Sequence, residues 1–150
     1  MLPTVILRHR KENLNKCSLK GLEERDDFLF FTYPKEDINI NLSSYIMLTI
    51  DAPILTERDK DNGLLLIDGT WRYAATMVKK YDMVEKRSLP ICYKTAYPRY
   101  QTACPDPIRG LASIEALYIA FLITQRPSKN LLDNYYWKEQ FLKLNNIKED

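Results

Sequence analysis

The chain of 150 residues is 45% hydrophobic and 28% charged, and it carries a formal net charge of +2 at pH 7. That composition predicts one globular domain with a real core and excludes a disordered or low-complexity chain. The small net charge does not by itself require a nucleic-acid partner, and no apolar run reaches the ~18 residues of a transmembrane helix.

Leu2–Leu7 reads as a short strand, and the segment after it is polar and basic as far as Lys20. Phe28–Tyr33 is a second strand, ended by Pro34, which has no N–H for a ladder. Tyr45–Ile50 and Leu64–Ile67 are a third and a fourth. Both are continuous apolar runs, as expected of strands covered on two faces. A helix follows over about Trp71–Lys80, with Ala74, Ala75, Met77 and Val78 on one side. Leu89–Tyr93 predicts a fifth strand, interrupted at one edge by Pro90. From Lys94 to Gly110 the chain holds Pro98, Pro105 and Pro107 without periodicity, a loop long enough to be functional. Ala112–Thr124 predicts an apolar helix with Ile114, Leu117, Ala120 and Phe121 at helical spacing; Pro127 breaks it. Leu131–Leu144 predicts a last amphipathic helix, and the polar tail 145–150 is expected to fray. The expected fold class is α/β: a single domain over residues 1–150, core at about 2–144, with a mainly parallel sheet flanked by helices.

Charge is segregated along the chain. Arg8, Arg10, Lys11, Lys16 and Lys20 stand against Glu12 alone, the stretch from Glu23 to Asp61 is acidic, and basic residues return between Lys79 and Arg109. Such segregation makes one positive face or is simply solvated charge. Cys17, Cys92 and Cys104 form no C-x-x-C pair, and His9 is the only histidine. These counts argue against a metal site and for a reducing cytoplasm. The apolar segment before Arg8 is too short for a signal-peptide core, so a soluble cytoplasmic protein without a membrane partner is expected.

The segment Leu64–Trp71 concentrates the candidate chemistry. An apolar run ends on Asp68, turns at Gly69, and opens a helix with Thr70 and Trp71. Ligands of parallel α/β sheets bind at strand ends, and a helix start capped by Thr70 favours an anionic group. Asp68 can equally be a turn former, Trp71 a core residue, and Ser113 a cap for its own helix. Glu115, in the first turn of an apolar helix, can serve the helix dipole alone. No G-x-G-x-x-G and no phosphate-loop lysine motif is present, which disfavours a dinucleotide or nucleotidase site.

Four blocks between Ile6 and Ile123 resemble the DTW-domain family, in the same order. They are His9-x-x-Glu12, where Arg10 replaces the family's proline; Asp68-Gly69-Thr70-Trp71 with Arg72, Ala75 and Met77; Leu89-Pro90 followed by Pro98-Arg99-Tyr100; and Gly110–Ala116. The resemblance implies an S-adenosylmethionine-dependent aminocarboxypropyltransferase that modifies a uridine nitrogen of tRNA. The alternatives are the same transfer to rRNA, an RNA methyltransferase, and a non-catalytic RNA-binding module. It also implies a SPOUT-like architecture with a C-terminal knot, while the metal-binding type of N-terminal cysteine cluster that many family members carry is missing here.

On that reading Asp68 and Glu115 are the catalytic candidates, since a weakly acidic uracil imide reacts better once a carboxylate takes its proton. Asp68, Thr70, Trp71, Ser18, Leu89, Ser113 and Glu115 are the expected cofactor-binding residues, with Cys17 near them. Arg8, His9, Arg10, Lys11, Arg72, Arg99, Tyr100 and Arg109 are the expected RNA contacts, the cations on phosphates and the loop tyrosines Tyr97 and Tyr100 stacked on an extruded base. Loop packing is the other role open to those tyrosines.

Overall fold

The computed structural model describes residues 1–12, 17–98 and 110–149. Five strands form one all-parallel sheet: β1 (Thr4–His9), β2 (Phe28–Tyr33), β3 (Tyr45–Leu48), β4 (Gly63–Asp68) and β5 (Glu85–Arg87), in the spatial order β2-β1-β4-β3-β5. Among the described residues three α-helices accompany it: α1 (Trp71–Lys80), α2 (Ser113–Ile123) and α3 (Lys138–Leu144).

Alternation along the central strands divides the core into two layers, because successive side chains leave a strand on opposite faces. Ile6, Ile46, Leu48, Leu64 and Leu66 pack with Ile114, Leu117 and Phe121 of α2 and Phe141 of α3. Val5, Leu7, Tyr45, Met47 and Leu65 face the other way and pack with Met77 of α1 and Tyr81 after it. Helices thus cover both faces of the sheet, which is why β1, β3 and β4 read as unbroken apolar runs. Helix α2 is apolar on nearly every side and correspondingly buried.

Several elements differ from the sequence expectation: β1 starts two residues later and runs on to His9, and β3 ends at Leu48. The fifth strand is Glu85–Arg87, not Leu89–Tyr93. An edge strand needs only one partner, and this one carries charges, with Arg87 paired to Asp59 and Glu85. Leu89 and Pro90 follow the strand and turn over the end of the sheet instead. The last helix is shorter than expected. Leu131 and Leu132 are buried, but in turns closed by Leu131 N–H to Ser128 O and Tyr135 N–H to Leu132 O, after Asn130 at φ 66°. Apolar residues at helical spacing reach the core equally well from a chain of such turns.

The SPOUT-like architecture with a C-terminal knot is also corrected. The described residues give the parallel sheet and its helices but no knot, and a strand-end motif of a few residues specifies a loop rather than the threading of a chain.

At Gly63 the absence of a side chain is a packing requirement. It lies opposite Tyr45 in the β3–β4 register, and a Cβ there would come within 2.5–2.7 Å of the Tyr45 ring. That ring is buried and its hydroxyl donates to Pro3 O at 2.7 Å. Gly63→Ala is expected to cost about 1–3 kcal/mol through overpacking, read as a lower urea midpoint at unchanged slope.

Candidate active site

Arg8 and Asp68 lie opposite each other where β1 and β4 end. Asp68 is 4% exposed, and three protein groups donate to its carboxylate. Ser113 Oγ donates to Oδ1 at 2.9 Å; Arg8 Nε at 3.3 Å and Cys17 Sγ at 3.2 Å donate to Oδ2. The Arg8 guanidinium continues to Glu23 at 3.1 Å and lies over the Phe30 ring at 4.8 Å. Burial works against the Arg8 charge, yet Cys17, Glu23 and Asp68 hold its pKa above the ordinary value. Burial first, and then the Asp68 charge, push the Cys17 thiol up to about 12. Glu12, Cys17 and Asp68 each bring one ligand-type atom within 4.8 Å of the others. The positive charge of this cluster comes from Arg8.

A second carboxylate organises the wall beyond. Glu115 is fully buried and its two oxygens accept four hydrogen bonds. Oε1 receives Thr95 Oγ1 at 2.6 Å and Ala112 N–H at 2.8 Å; Oε2 receives Ala96 N–H at 2.8 Å and Tyr135 O–H at 2.9 Å. Every lone-pair site of the carboxylate is taken. Glu115 therefore acts on position: it fixes the start of α2, the segment Thr95–Ala96 and Tyr135 in one arrangement. Asn145 holds the neighbouring residue, accepting from Lys94 N–H at 2.8 Å and donating to Lys94 O at 2.9 Å.

Between these anchors lies a cavity of about 310 Å³. It is lined by Leu48, Thr49 and Ile50 after β3, Leu66 and Gly69 around the end of β4, Leu89–Ile91, and Leu111 and Ser113 before and in α2. Its walls are mainly apolar. Thr49 Oγ1 is an exception, buried without a hydrogen-bond partner among the described residues. Ile50 and Ile91 are exposed at this end of the sheet.

Beside Gly69, three rings form a ladder. His9 stacks on Tyr73 at 4.0 Å and meets Tyr33 at 5.8 Å, while Lys11 lies over Tyr73 at 5.5 Å and Lys80 over Tyr33 at 5.6 Å. Burial, followed by the charges of Arg10 and Lys11, lowers the His9 pKa.

The expected residues thus separate. Leu89 and Ser113 line the cavity, Asp68 meets it through Ser113, and Ser18 Oγ accepts from Ile114 N–H at 3.2 Å and caps α2 from outside. Ser113 is the first residue of α2 and turns its hydroxyl to Asp68, so it does not cap its own helix. Thr70 stands at the N-cap of α1, but its hydroxyl makes no cap bond; the expected cap is corrected, the carbonyl of Thr70 receiving Tyr73 and Ala74 N–H instead. Trp71 opens α1, and its side chain lies outside what the structure describes. Arg8 and His9 are buried, so the RNA contacts expected of them give way to an ion pair and a ring stack. Arg10, Lys11 and Arg72 are exposed. Arg99, Tyr100 and Arg109 lie outside the described residues, while Tyr97 packs against the core. Sequence reasoning missed Thr49, Ile50 and the pairing role of Arg8. The signal for the first two was the end of an apolar run at Asp51, the same signal that singled out Asp68.

Comparison with known proteins follows this geometry. Residues 46–148 match the family model described as Ribosome biogenesis protein, C-terminal. The 16S rRNA aminocarboxypropyltransferase of Methanocaldococcus jannaschii is 26% identical over 151 residues, covering 96% of this chain and 83% of that protein. The fold is that of the SAM-dependent rRNA:acp-transferase Tsr3 from Vulcanisaeta distributa, with a TM-score of 0.70 at 24% identity over 97% of this chain and 80% of that one. These matches overturn the DTW-domain assignment, and the SPOUT-like reading with it. An acidic strand end followed by a helix start is a local solution to holding a ligand, and four residues of it do not separate one family from another.

Glu115→Gln turns one oxygen into an amide that meets donors. It is expected to cost about 1–3 kcal/mol and to speed hydrogen exchange at the Ala96 amide. Cys17 is buried and Cys92 exposed, both as free thiols. Mapped alkylation of the native protein should label Cys92 and reach Cys17 only on unfolding; equal rates would contradict the buried cluster.

Proposed function

The chain belongs to the family described as Ribosome biogenesis protein, C-terminal, and from that premise we propose that it is an S-adenosylmethionine-dependent transferase placing an aminocarboxypropyl group on a uridine nitrogen of ribosomal RNA. Ribosomal RNA replaces the expected tRNA, because the relatives that match nearly the whole chain are rRNA enzymes by name. The observation that carries the reading is the mainly apolar cavity at the ends of β3 and β4, with the Asp68 cluster joined to its wall through Ser113. Parallel α/β sheets bind small ligands at that end.

The residues present suit this co-substrate. Leu48, Ile50, Leu66, Leu89 and Leu111 offer apolar walls to a flat base and to the carbon groups around the sulfonium. S-adenosylmethionine, when bound, supplies a methylene carbon made electrophilic by an adjacent sulfonium. Asp68 provides fixed negative charge near the cation, and its bond to Ser113 ties that charge to a wall of the cavity. Glu115 keeps the opposite wall in place, so much of the rate enhancement comes from orientation. The exposed cations Arg10, Lys11 and Arg72 near the ring ladder supply phosphate contacts that position RNA without reading its sequence.

Two measurements test the proposal. With S-adenosylmethionine labelled in the carboxypropyl arm, label should pass to small-subunit rRNA and not to tRNA, with equimolar release of 5′-methylthioadenosine. Transfer of methyl label instead would overturn it. Reversing Arg10 and Lys11 to glutamate should weaken rRNA binding and flatten the log–log salt dependence by about 0.7–0.9 per lost contact, while S-adenosylmethionine affinity stays unchanged.

A further inference from the structure

Among the described residues, the other acids, the thiol and the imidazole beside the reacting end of the sheet are already engaged. Asp68 accepts from Ser113, Arg8 and Cys17. Glu115 accepts four hydrogen bonds and is fully buried. The Cys17 thiol, pushed up to about 12, stays protonated at neutral pH. His9 is buried and stacked on Tyr73, and its Nδ1 accepts from Lys11 N–H at 3.1 Å.

Glu12 differs from all of them. It follows β1 on a turn closed by its own N–H to His9 O at 3.0 Å, which carries it back over the end of the sheet. A carboxylate oxygen of Glu12 comes within 4.8 Å of both Asp68 and Cys17. It is partly exposed, and among the described residues no group donates to its carboxylate.

We propose that Glu12 is the base of the transfer, taking the imide proton of the target uracil. The inference rests on the proposed function. The uracil nitrogen forms a bond to the methylene carbon of the aminocarboxypropyl arm as the carbon–sulfur bond breaks. The electron pair of that bond stays on sulfur, leaving neutral 5′-methylthioadenosine, and the proton passes to Glu12 and then to water. Three features suit Glu12 to this role. No described residue donates to its lone pairs, it is open to an incoming base, and it stands within 4.8 Å of Asp68, which Ser113 joins to the wall of the cavity.

Electrostatics agree with the geometry. Burial, and then the charge of Asp68, raise the Glu12 pKa, with Arg8 acting in the opposite sense. Cys17 contributes no charge, Glu23 acts only through Arg8, and Arg10 and Lys11 precede Glu12 on its own turn. A carboxylate of raised basicity is a better proton acceptor, and it must be deprotonated to act. Transfer should therefore rise with pH through the Glu12 pKa.

Glu12→Gln tests this on the full chain with small-subunit rRNA, beside the wild type. A loss of at least 100-fold in kcat is expected, together with loss of the acidic limb of the pH profile. Glu12→Asp should restore part of the rate and the limb. Titration calorimetry should give S-adenosylmethionine and rRNA affinities within twofold of wild type. Carboxyl NMR of the protein without co-substrate should show Glu12 titrating above an ordinary glutamate. Transfer by Glu12→Gln at the wild-type rate would overturn the assignment while leaving the proposed function standing. Absence of transfer by the wild type would overturn both. A Glu12 that titrates as an ordinary glutamate would overturn its placement in a half-buried pocket beside Asp68.

Discussion

The constraint on which the rest of this molecule depends is a carboxylate, Asp68, placed at the end of a buried strand where water cannot solvate it. A charge in that position costs several kcal/mol unless partners replace the water. The chain supplies them from three separate places: Arg8 from the adjoining strand, Cys17 from the segment after it, and Ser113 from the start of α2. Replacing such a pair with apolar groups is often neutral for stability, so its main contribution here is geometry. It sets where β1, β4 and α2 meet, and the cavity is the space left between them.

Two buried acids thus do related work by different routes. Asp68 sits among a guanidinium, a thiol and a hydroxyl, and gathers elements distant in sequence around one point. Glu115 uses backbone and hydroxyl donors to fasten a helix start to a loop and to Tyr135. Neither leaves much capacity for a reacting molecule. Fixing an apolar cavity with charged anchors outside it keeps the anchors from competing for the ligand, and the rigidity they give is what orientation of a small co-substrate requires.

Much of this was legible in the amino-acid sequence, for reasons that differ from element to element. β2 and α1 run as expected because Pro34 and the pattern of Ala74, Met77 and Val78 are local signals. The importance of Asp68 was legible because an acid has no reason to end an apolar run unless something pairs with it. The partners were not: Arg8 lies sixty positions away, and from sequence a basic residue after a strand looks like surface. The fifth strand was misplaced because an edge strand is defined by its neighbour, Leu48 against Arg87, more than by its own residues. Thr70 was read as a cap, and capping was one of two roles open to Ser113, because hydroxyls at helix starts usually cap; here Ser113 turns to Asp68 and Thr70 makes no cap bond.

The pairing of Asn145 with both polar groups of Lys94 has a consequence for how this chain can vary in length. Two hydrogen bonds from one side-chain amide imitate a rung of β-sheet, so the backbone at Lys94 is held in register by a residue fifty-one positions later. Glu115 holds the next two residues. An inserted or deleted residue between Lys94 and Ala96 would put at least one of these partners out of reach, and one at the end of α3 would do the same from the other side.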